Sequence, residues 1–499
     1  MGRDLRPRAG YPRAMGWRQM TPWGGGLHLR GGVLFLASGR LREEFGEPVA
    51  ALEWLRAFRS RYCGRKHAQW YCSDLETIWR WLFVADGHTV ERLGTRAVPM
   101  WSASCQVCAH WGHTHFRDVR SWVSDVSELQ DAEEIDTWRQ SVALELHELG
   151  GSMRGTGSGS GHTLWRETYN HARKWKVGPG DAEHHDWCRR AYYGARTSVH
   201  QVGIIARRGH VPGRLARQTR APVHILPDGL RLWRIDQRSA FPAAMGGRLP
   251  WVWSEVEPRW NRDLPNGIVE GLVRVGAPDC LPLRVRGAKR GWRQCWGLPG
   301  QRVRGVWTAT TLREAERLGC EVEEVTRAVS YRVDYRPLQE LTGAVYQRAR
   351  GLRGPVKDAV KSLSRRLYGR FATSRWRYSW MHIRDYLAGG YKHTPRYQVG
   401  RWVYVADPEP TYPATSQPTW AAEITSRVNI TLRRVESALR GAGLPVYYSD
   451  TDSVLFGAPQ GETAPFEVPD DVERRVGPEL GQWRVEWSGD WAILLGPKW

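Results

Sequence analysis

The stretch VYYSDTDSVLF, residues Val446–Phe456, constrains the fold more than any other part of this 499-residue chain. Its two apolar runs, rich in β-branched and aromatic residues, read as strands Pro445–Ser449 and Val454–Phe456 joined by a tight acidic turn. Side chains at i and i+2 share a strand face, so Asp450 and Asp452 can point to one site. Paired carboxylates repel, and a divalent cation best offsets that cost. A third acid is at hand in Asp236, at the end of the expected strand Leu230–Ile235, where a side chain has little positional freedom. By itself an Asp-x-Asp turn is more often a solvated hairpin tip.

The segment between these acids carries a complementary pattern. Pro337–Leu352 and Pro355–Phe371 read as two helices joined by a tight turn at Gly351–Gly354. On the second, Lys357, Lys361, Arg365 and Tyr368 are spaced 4, 4 and 3, which predicts one helical face of three cations and an aromatic ring. Such a face is either solvated or suited to a nucleoside triphosphate, with cations for the phosphates and a ring for the sugar and base. A third helix is expected at Ala421–Leu439.

Charge points the same way. Lys plus Arg number 73 against 52 Asp plus Glu, a formal +21, and only eight of the 73 are Lys. A surface of fixed-charge guanidinium groups favours an anionic polymer as partner, although a coding bias toward Arg would also raise the Arg/Lys ratio. No apolar run approaches the roughly 20 residues of a membrane helix, and no secretory signal is evident. The expected setting is therefore intracellular, with eight sparse Cys making a disulfide framework improbable.

Three segments resemble, in order, the polymerase motifs of family B DNA polymerases. Asp236-Gln237-Arg238-Ser239-Ala240-Phe241-Pro242 is similar to D-x-x-S-L-Y-P, Lys361-Ser362-Leu363-Ser364-Arg365-Arg366-Leu367-Tyr368-Gly369 to K-x-x-x-N-S-x-Y-G, and Tyr448-Ser449-Asp450-Thr451-Asp452-Ser453 to Y-x-D-T-D-S. Ala191-Tyr192-Tyr193-Gly194-Ala195-Arg196 resembles the Y-x-G-G/A motif that joins exonuclease and polymerase modules. Leu480–Glu486 and Gly496–Trp499 look like the approach to the K-x-Y motif that grips a primer, with Lys498 as its lysine. The long intervals between motifs, including Tyr378–Pro418 with paired strands, look like insertions and favour the protein-primed phage and plasmid branch, with ordinary elaboration as the alternative. Phe241 stands where the family has Tyr, and Arg365-Arg366 replace Asn-Ser.

The resemblance implies an α+β right-hand polymerase with an antiparallel palm sheet, helical fingers, a reduced or missing thumb, and an N-terminal RNase H-like α/β exonuclease-like domain. The domains expected are a flexible basic arm at 1–30, the exonuclease-like domain at 31–187, palm at 188–250, an insertion at 251–335, fingers at 336–375, a second insertion at 376–418 and palm again at 419–499. Gly151–Gly161, with its GTGSGSG run, reads as a linker. His115–Leu129 resembles an exonuclease segment, yet the four acids such a site needs are incomplete: Asp74, Glu76, Asp118 and Asp136 are candidates, and 27–40, where the first motif is expected, has no acid at all. The expectation is a degenerate exonuclease with proofreading lost. Cys105 and Cys108, with His110, His113 and His115 nearby, have weak zinc-like spacing, buried thiols being the alternative.

The implied activity is template-directed addition of deoxynucleotides to a 3′-hydroxyl, in the replication of a phage or mobile element. Asp236 and Asp450 would bind two Mg²⁺, or Mn²⁺, with Asp452 in support. Ser239, Ala240, Phe241, Lys357, Lys361, Arg365 and Tyr368 would bind the nucleotide, and Tyr192, Gly194, Arg196 and Lys498 the DNA. The implied partners are primer-template DNA, deoxynucleotides and a terminal protein primer, with no membrane. The competing readings are a polymerase-derived nucleic-acid-binding scaffold and a primer-independent primase-polymerase.

Overall fold

The computed structural model describes residues 24–63, 68–79, 81–82, 97–98, 108–111, 114–154, 156–169, 182–193, 197–199, 201–219, 221–251, 253–264, 266–286, 292–332, 335–372, 378–389, 397–399, 401–406, 416–459 and 476–494. The chain forms two compact units, one of residues 1–171 with 343–367, the other of 172–342 with 368–499.

In the first unit β1 (Gly24–Arg30), β2 (Val33–Ser38) and β3 (Leu41–Phe45) form an antiparallel meander. β4 (Ala68–Cys72) and β7 (Thr114–Asp118) extend it in parallel beside β1, and β5 (Ala97–Val98) and β6 (Cys108–Trp111) finish a seven-stranded sheet of order β3-β2-β1-β4-β7-β6-β5. Gly24–Arg30, assigned to a loose arm by composition, is thus a central strand. Leu27 and the small Gly24–Gly26 fit between β2 and β4, and a Cβ at Gly26 would lie 2.0 Å from the Ala132 carbonyl oxygen. Gly26 therefore lets the helix Ala132–Glu148 settle directly on the sheet, while Gly24 and Gly25 leave room for the backbones of Gln69 and Ala37. That helix starts at a capping box in which Asp131 accepts from the Glu134 N–H and the Glu134 side chain accepts from the Asp131 N–H.

The expected linker is also ordered. Gly157–Leu164 is a helix, capped by the Thr156 hydroxyl, which accepts from the Gly159 N–H. Its glycines are contact surface: a Cβ at Gly157 would lie 1.9 Å from Ser362 Oγ, and one at Gly161 1.9 Å from the Leu363 carbonyl oxygen. Composition alone gives such a run to a flexible chain, but two glycines four apart on a helix form a groove that a second helix, here Gly354–Arg365, can fill.

The second unit is built on the sheet β23-β11-β22-β21-β8, made of β8 (Thr197–Val199), β11 (Leu230–Gln237), β21 (Val446–Asp450), β22 (Ser453–Pro459) and β23 (Trp483–Gly489). The helix Pro418–Gly441 covers one face, where Leu432, Val435 and Leu439 pack with Trp233, Ile235, Val454, Phe456 and Trp483. β9 (Gly203–Ala206), β10 (Val223–Ile225) and β24 (Trp491–Leu494) make a small sheet of order β10-β9-β24. Between β11 and the residues near 340 lies a four-stranded sheet, β12 (Trp253–Val256), β17 (Glu321–Tyr331), β13 (Gly267–Arg274) and β16 (Arg302–Thr308), beside the hairpin of β14 (Pro282–Arg286) and β15 (Trp292–Trp296). The paired strands expected in 378–418 are β18 (Tyr378–His382), β20 (Trp402–Ala406) and β19 (Tyr397–Val399).

Cys280 and Cys320 lie 3.0 Å apart, Sγ to Sγ, among the free thiols of the described residues. Among those residues no helix is long and apolar enough to cross a membrane.

Candidate active site

The strand pairing places the principal acids. Asp236 on β11 is paired with Ser453 on β22, and Ser453 is paired in turn with Asp450 on β21. Directly paired residues project from the same face of a sheet, so both carboxylates leave the same face, one strand apart, with Cα atoms separated by about two strand spacings, on the order of 10 Å. This is the face away from the helix Pro418–Gly441: neighbouring Ile235 and Val454 point into that apolar core. Asp236, 214 positions before Asp450 in sequence, is thereby set beside the acidic turn.

The turn is tighter than simple strand alternation predicts. Thr451 has φ +58°, and the Asp452 N–H donates to the Asp450 carbonyl, an i to i+2 bond that closes a γ-turn. Asp452 is thus delivered by the turn and not as the second residue of one strand face. Its carbonyl accepts from the Gln237 N–H, which ties the turn to the end of β11 beside Asp236. The Asp450 carboxylate accepts from the Thr451 hydroxyl at 3.0 Å.

Asp236 sits among charges. Arg484 on β23 is its direct partner in register and donates to Oδ2 through Nε at 3.2 Å and Nη2 at 3.1 Å. Burial pushes the Asp236 carboxyl above the usual range, with Glu486 adding to the rise and Arg484 and Arg234 opposing it. Register shifts between Arg234 and Ile235, so Glu486 and Trp487 both oppose Arg234. Glu486 lies 3.0 Å from Arg234 Nε. Sequence reasoning passed over Arg234, Arg484 and Glu486, although their alternation beside Asp236 and Trp483 is a period-two strand pattern. A cleft of about 1190 Å³ opens on this face, lined in part by Arg234, Tyr448, Asp450, Glu486, Trp487 and Trp491.

A second cluster is aromatic. Phe241 and Tyr368 stack with ring centroids 4.2 Å apart and an interplanar angle of 2°, and Tyr192 meets Tyr368 edge-on at 6.4 Å. Phe241 is buried and Tyr368 only half-buried, so Tyr368 is the ring of this pair that remains accessible. Ser239, at φ +53° and ψ +56°, turns the chain out of β11 into the short helix Ala240–Met245. Left-handed Ser239 is what carries Phe241 from the strand end to the ring pair.

The expected single face through Lys357, Lys361, Arg365 and Tyr368 is interrupted. The helix ends at Arg365, Arg366 leaves helical geometry at φ −105° and ψ 3°, and Leu367–Phe371 is a separate turn of helix. The three cations belong to the first unit and Tyr368 to the second. Leu367 and Phe371 are fully buried, and Phe371 packs edge-on against Trp420. Gly194, Arg196, Lys498 and Cys105 lie outside the described residues, as do the side chains of Cys108 and His110.

Hard carboxylate oxygens on one face suit a small divalent cation, which typically takes one or two carboxylates and completes its shell with phosphate oxygens and water. Asp236 and Asp450 fit that pattern. Among the described residues no group of three or more His, Cys, Asp or Glu is placed to hold a metal without such added ligands.

No family model matches the sequence, and no curated protein matches it. Solved structures do match. The fold is similar to that of phi29 DNA polymerase. The chain is 14% identical to that polymerase complexed with primer-template DNA and incoming nucleotides, covering 95% of this chain and 86% of that one, with a TM-score of 0.63. Phi29 DNA polymerase complexed with single-stranded DNA matches at 14% identity, with 94% and 83% coverage and a TM-score of 0.62. Its post-translocation binary complex with primer-template DNA matches at 14% identity, with 96% and 86% coverage and a TM-score of 0.60.

Proposed function

We propose that this protein is a template-directed DNA polymerase that extends a 3′-hydroxyl, of the protein-primed kind, with a phage or mobile element as its setting. The pairing of Asp236 and Asp450 to either side of Ser453 carries the proposal, because it unites two distant motifs on one sheet face. The described fold supports it. Asp236 and Asp450 would hold divalent cations, Mg²⁺ or Mn²⁺, whose chemistry is to make the 3′-hydroxyl a nucleophile and to neutralise the leaving pyrophosphate. Asp452 supports the turn that presents Asp450. The first turn of the helix Ala240–Met245 offers N–H groups without helical partners at Ser239–Phe241 to the triphosphate, and the resemblance to family B polymerases adds Lys357, Lys361 and Arg365 as its cations. Tyr368, backed by Phe241, forms the sugar-facing wall, while Tyr192, Gly194, Arg196 and Lys498 serve the DNA. The terminal protein primer and the bacterial cytoplasm belong to the same proposal.

Primer extension on a primed template, with and without primer, tests this reading. Extension only from a primer is the expected result; binding without extension marks a DNA-binding scaffold, and synthesis without primer marks a primase-polymerase. Tyr368→Ala is expected to raise the deoxynucleotide KM about tenfold, by loss of an aromatic packing surface, and to increase ribonucleotide use. An unchanged KM and unchanged sugar selectivity would remove Tyr368 from the pocket.

The proposal includes loss of proofreading. Strand β1 contains no acid, and the helix Ala132–Glu148 lies directly against its Gly26. The remaining acids are engaged locally: Asp74 accepts from Thr77, Asp118 pairs with Arg120 at 2.6 Å, and buried Asp136 pairs with Arg139 at 2.7 Å and accepts from the Gly39 N–H. A primer with a mismatched 3′ end is therefore expected to persist uncut; its excision by purified protein, lost on Asp136→Ala, would refute this.

A further inference from the structure

Arg484 is placed where neither the acidic turn nor the aromatic cluster requires it. Its guanidinium makes both of its contacts with Asp236 on one carboxylate oxygen, and the same Nη2 lies 3.7 Å from Glu486 Oε1. It stands between two carboxylates, close to one and within reach of the other. Glu486 is held on the same side by Arg234, whose Nε is 3.0 Å from Oε2. The irregular pairing of β11 with β23 is what permits this, since Glu486 and Trp487 together oppose Arg234. Arg234, Asp236, Arg484 and Glu486 sum to no net charge. A cation approaching Asp236 therefore meets a carboxylate already neutralised, and a vacated guanidinium needs a second acceptor.

We propose that Arg484 is the internal counter-cation of Asp236, competing with a divalent metal ion for that carboxylate and passing to Glu486 when the ion enters. Arg484 is thus a positioning residue that sets how much metal the site needs. The inference rests on the reading of Asp236 as a metal ligand. It requires no backbone movement, because side-chain rotation of a half-exposed Arg covers the difference between the two contacts.

The test is Mn²⁺ binding to the full chain, followed by the electron paramagnetic resonance signal of free Mn²⁺, with a dideoxy-terminated primer-template and a matching nucleotide present so that no turnover occurs. Arg484→Gln is expected to lower the half-saturating Mn²⁺ about three- to tenfold, the range for a partly exposed ion pair strengthened by direct hydrogen bonds. Arg484→Lys, which keeps the charge, should remain close to the parent. Glu486→Gln should weaken binding in the parent but have little effect in the Arg484→Gln background, since its role acts through Arg484. Unchanged Mn²⁺ affinity in well-folded Arg484→Gln, with Asp236→Asn abolishing that binding, would overturn the inference and leave the metal assignment standing. Unchanged affinity in Asp236→Asn would overturn both.

Discussion

Asp450→Asn is expected to reduce nucleotide incorporation by about a thousandfold or more, the scale set by losing a metal-holding carboxylate in a charge-stabilised phosphoryl transfer. Binding of primer-template should stay within about twofold, because the Arg-rich surface proposed to hold phosphates is untouched. The substitution is nearly isosteric. Asn retains an oxygen that can accept from the Thr451 hydroxyl, and the Ser453 hydroxyl bond goes to the Asp450 backbone carbonyl. A stopped or single-turnover extension assay alongside a mobility shift measures both quantities. Near-parent incorporation in Mg²⁺ would take Asp450 out of the metal site. A parallel loss of DNA binding would mean instead that the hairpin had collapsed.

The second large effect concerns stability. Gly161→Leu should destabilise the first unit by about 3 kcal/mol, the upper range for overpacking a close contact. Its Cβ would fall 1.9 Å from the Leu363 carbonyl oxygen, a backbone atom that no rotamer change can move. Gly157→Ala should cost less, because the nearest atom there is Ser362 Oγ, at the end of a side chain. Gly343→Ala supplies the opposite sign: nothing lies within 4 Å of its Cβ in the helix Gln339–Arg350, so a gain of about 0.5–1 kcal/mol is expected from helix propensity. Thermal unfolding of the three variants measures the order. Equal stability for Gly161→Leu and the parent would refute the helix-to-helix contact.

Much of this architecture is legible in local pattern. The expected strands at Leu230–Ile235, Pro445–Ser449 and Val454–Phe456 correspond to β11, β21 and β22, and the helix expected at Ala421–Leu439 lies within Pro418–Gly441. Those segments combine a clear period with turn residues at their ends. Local pattern misled where glycine served packing instead of freedom: Gly24–Gly26 form a strand beneath a helix, and Gly157 and Gly161 form a helix groove. A glycine run looks alike in sequence whether its missing Cβ meets solvent or another backbone. The 4, 4, 3 spacing of Lys357, Lys361, Arg365 and Tyr368 does not hold one face because the chain leaves helical geometry at Arg366, a backbone break that side-chain spacing does not encode.

The sequence by itself determined which acids could serve the site, because a tight turn between apolar strands and a strand end fix where carboxylates can sit along the chain. Tertiary structure decided which face they share and which charges surround them. Only strand register sets Asp236 beside Ser453 and Asp450, and only the irregular pairing with β23 brings Arg484 and Glu486 to Asp236. Register depends on contacts between segments more than two hundred residues apart, and no local propensity encodes it.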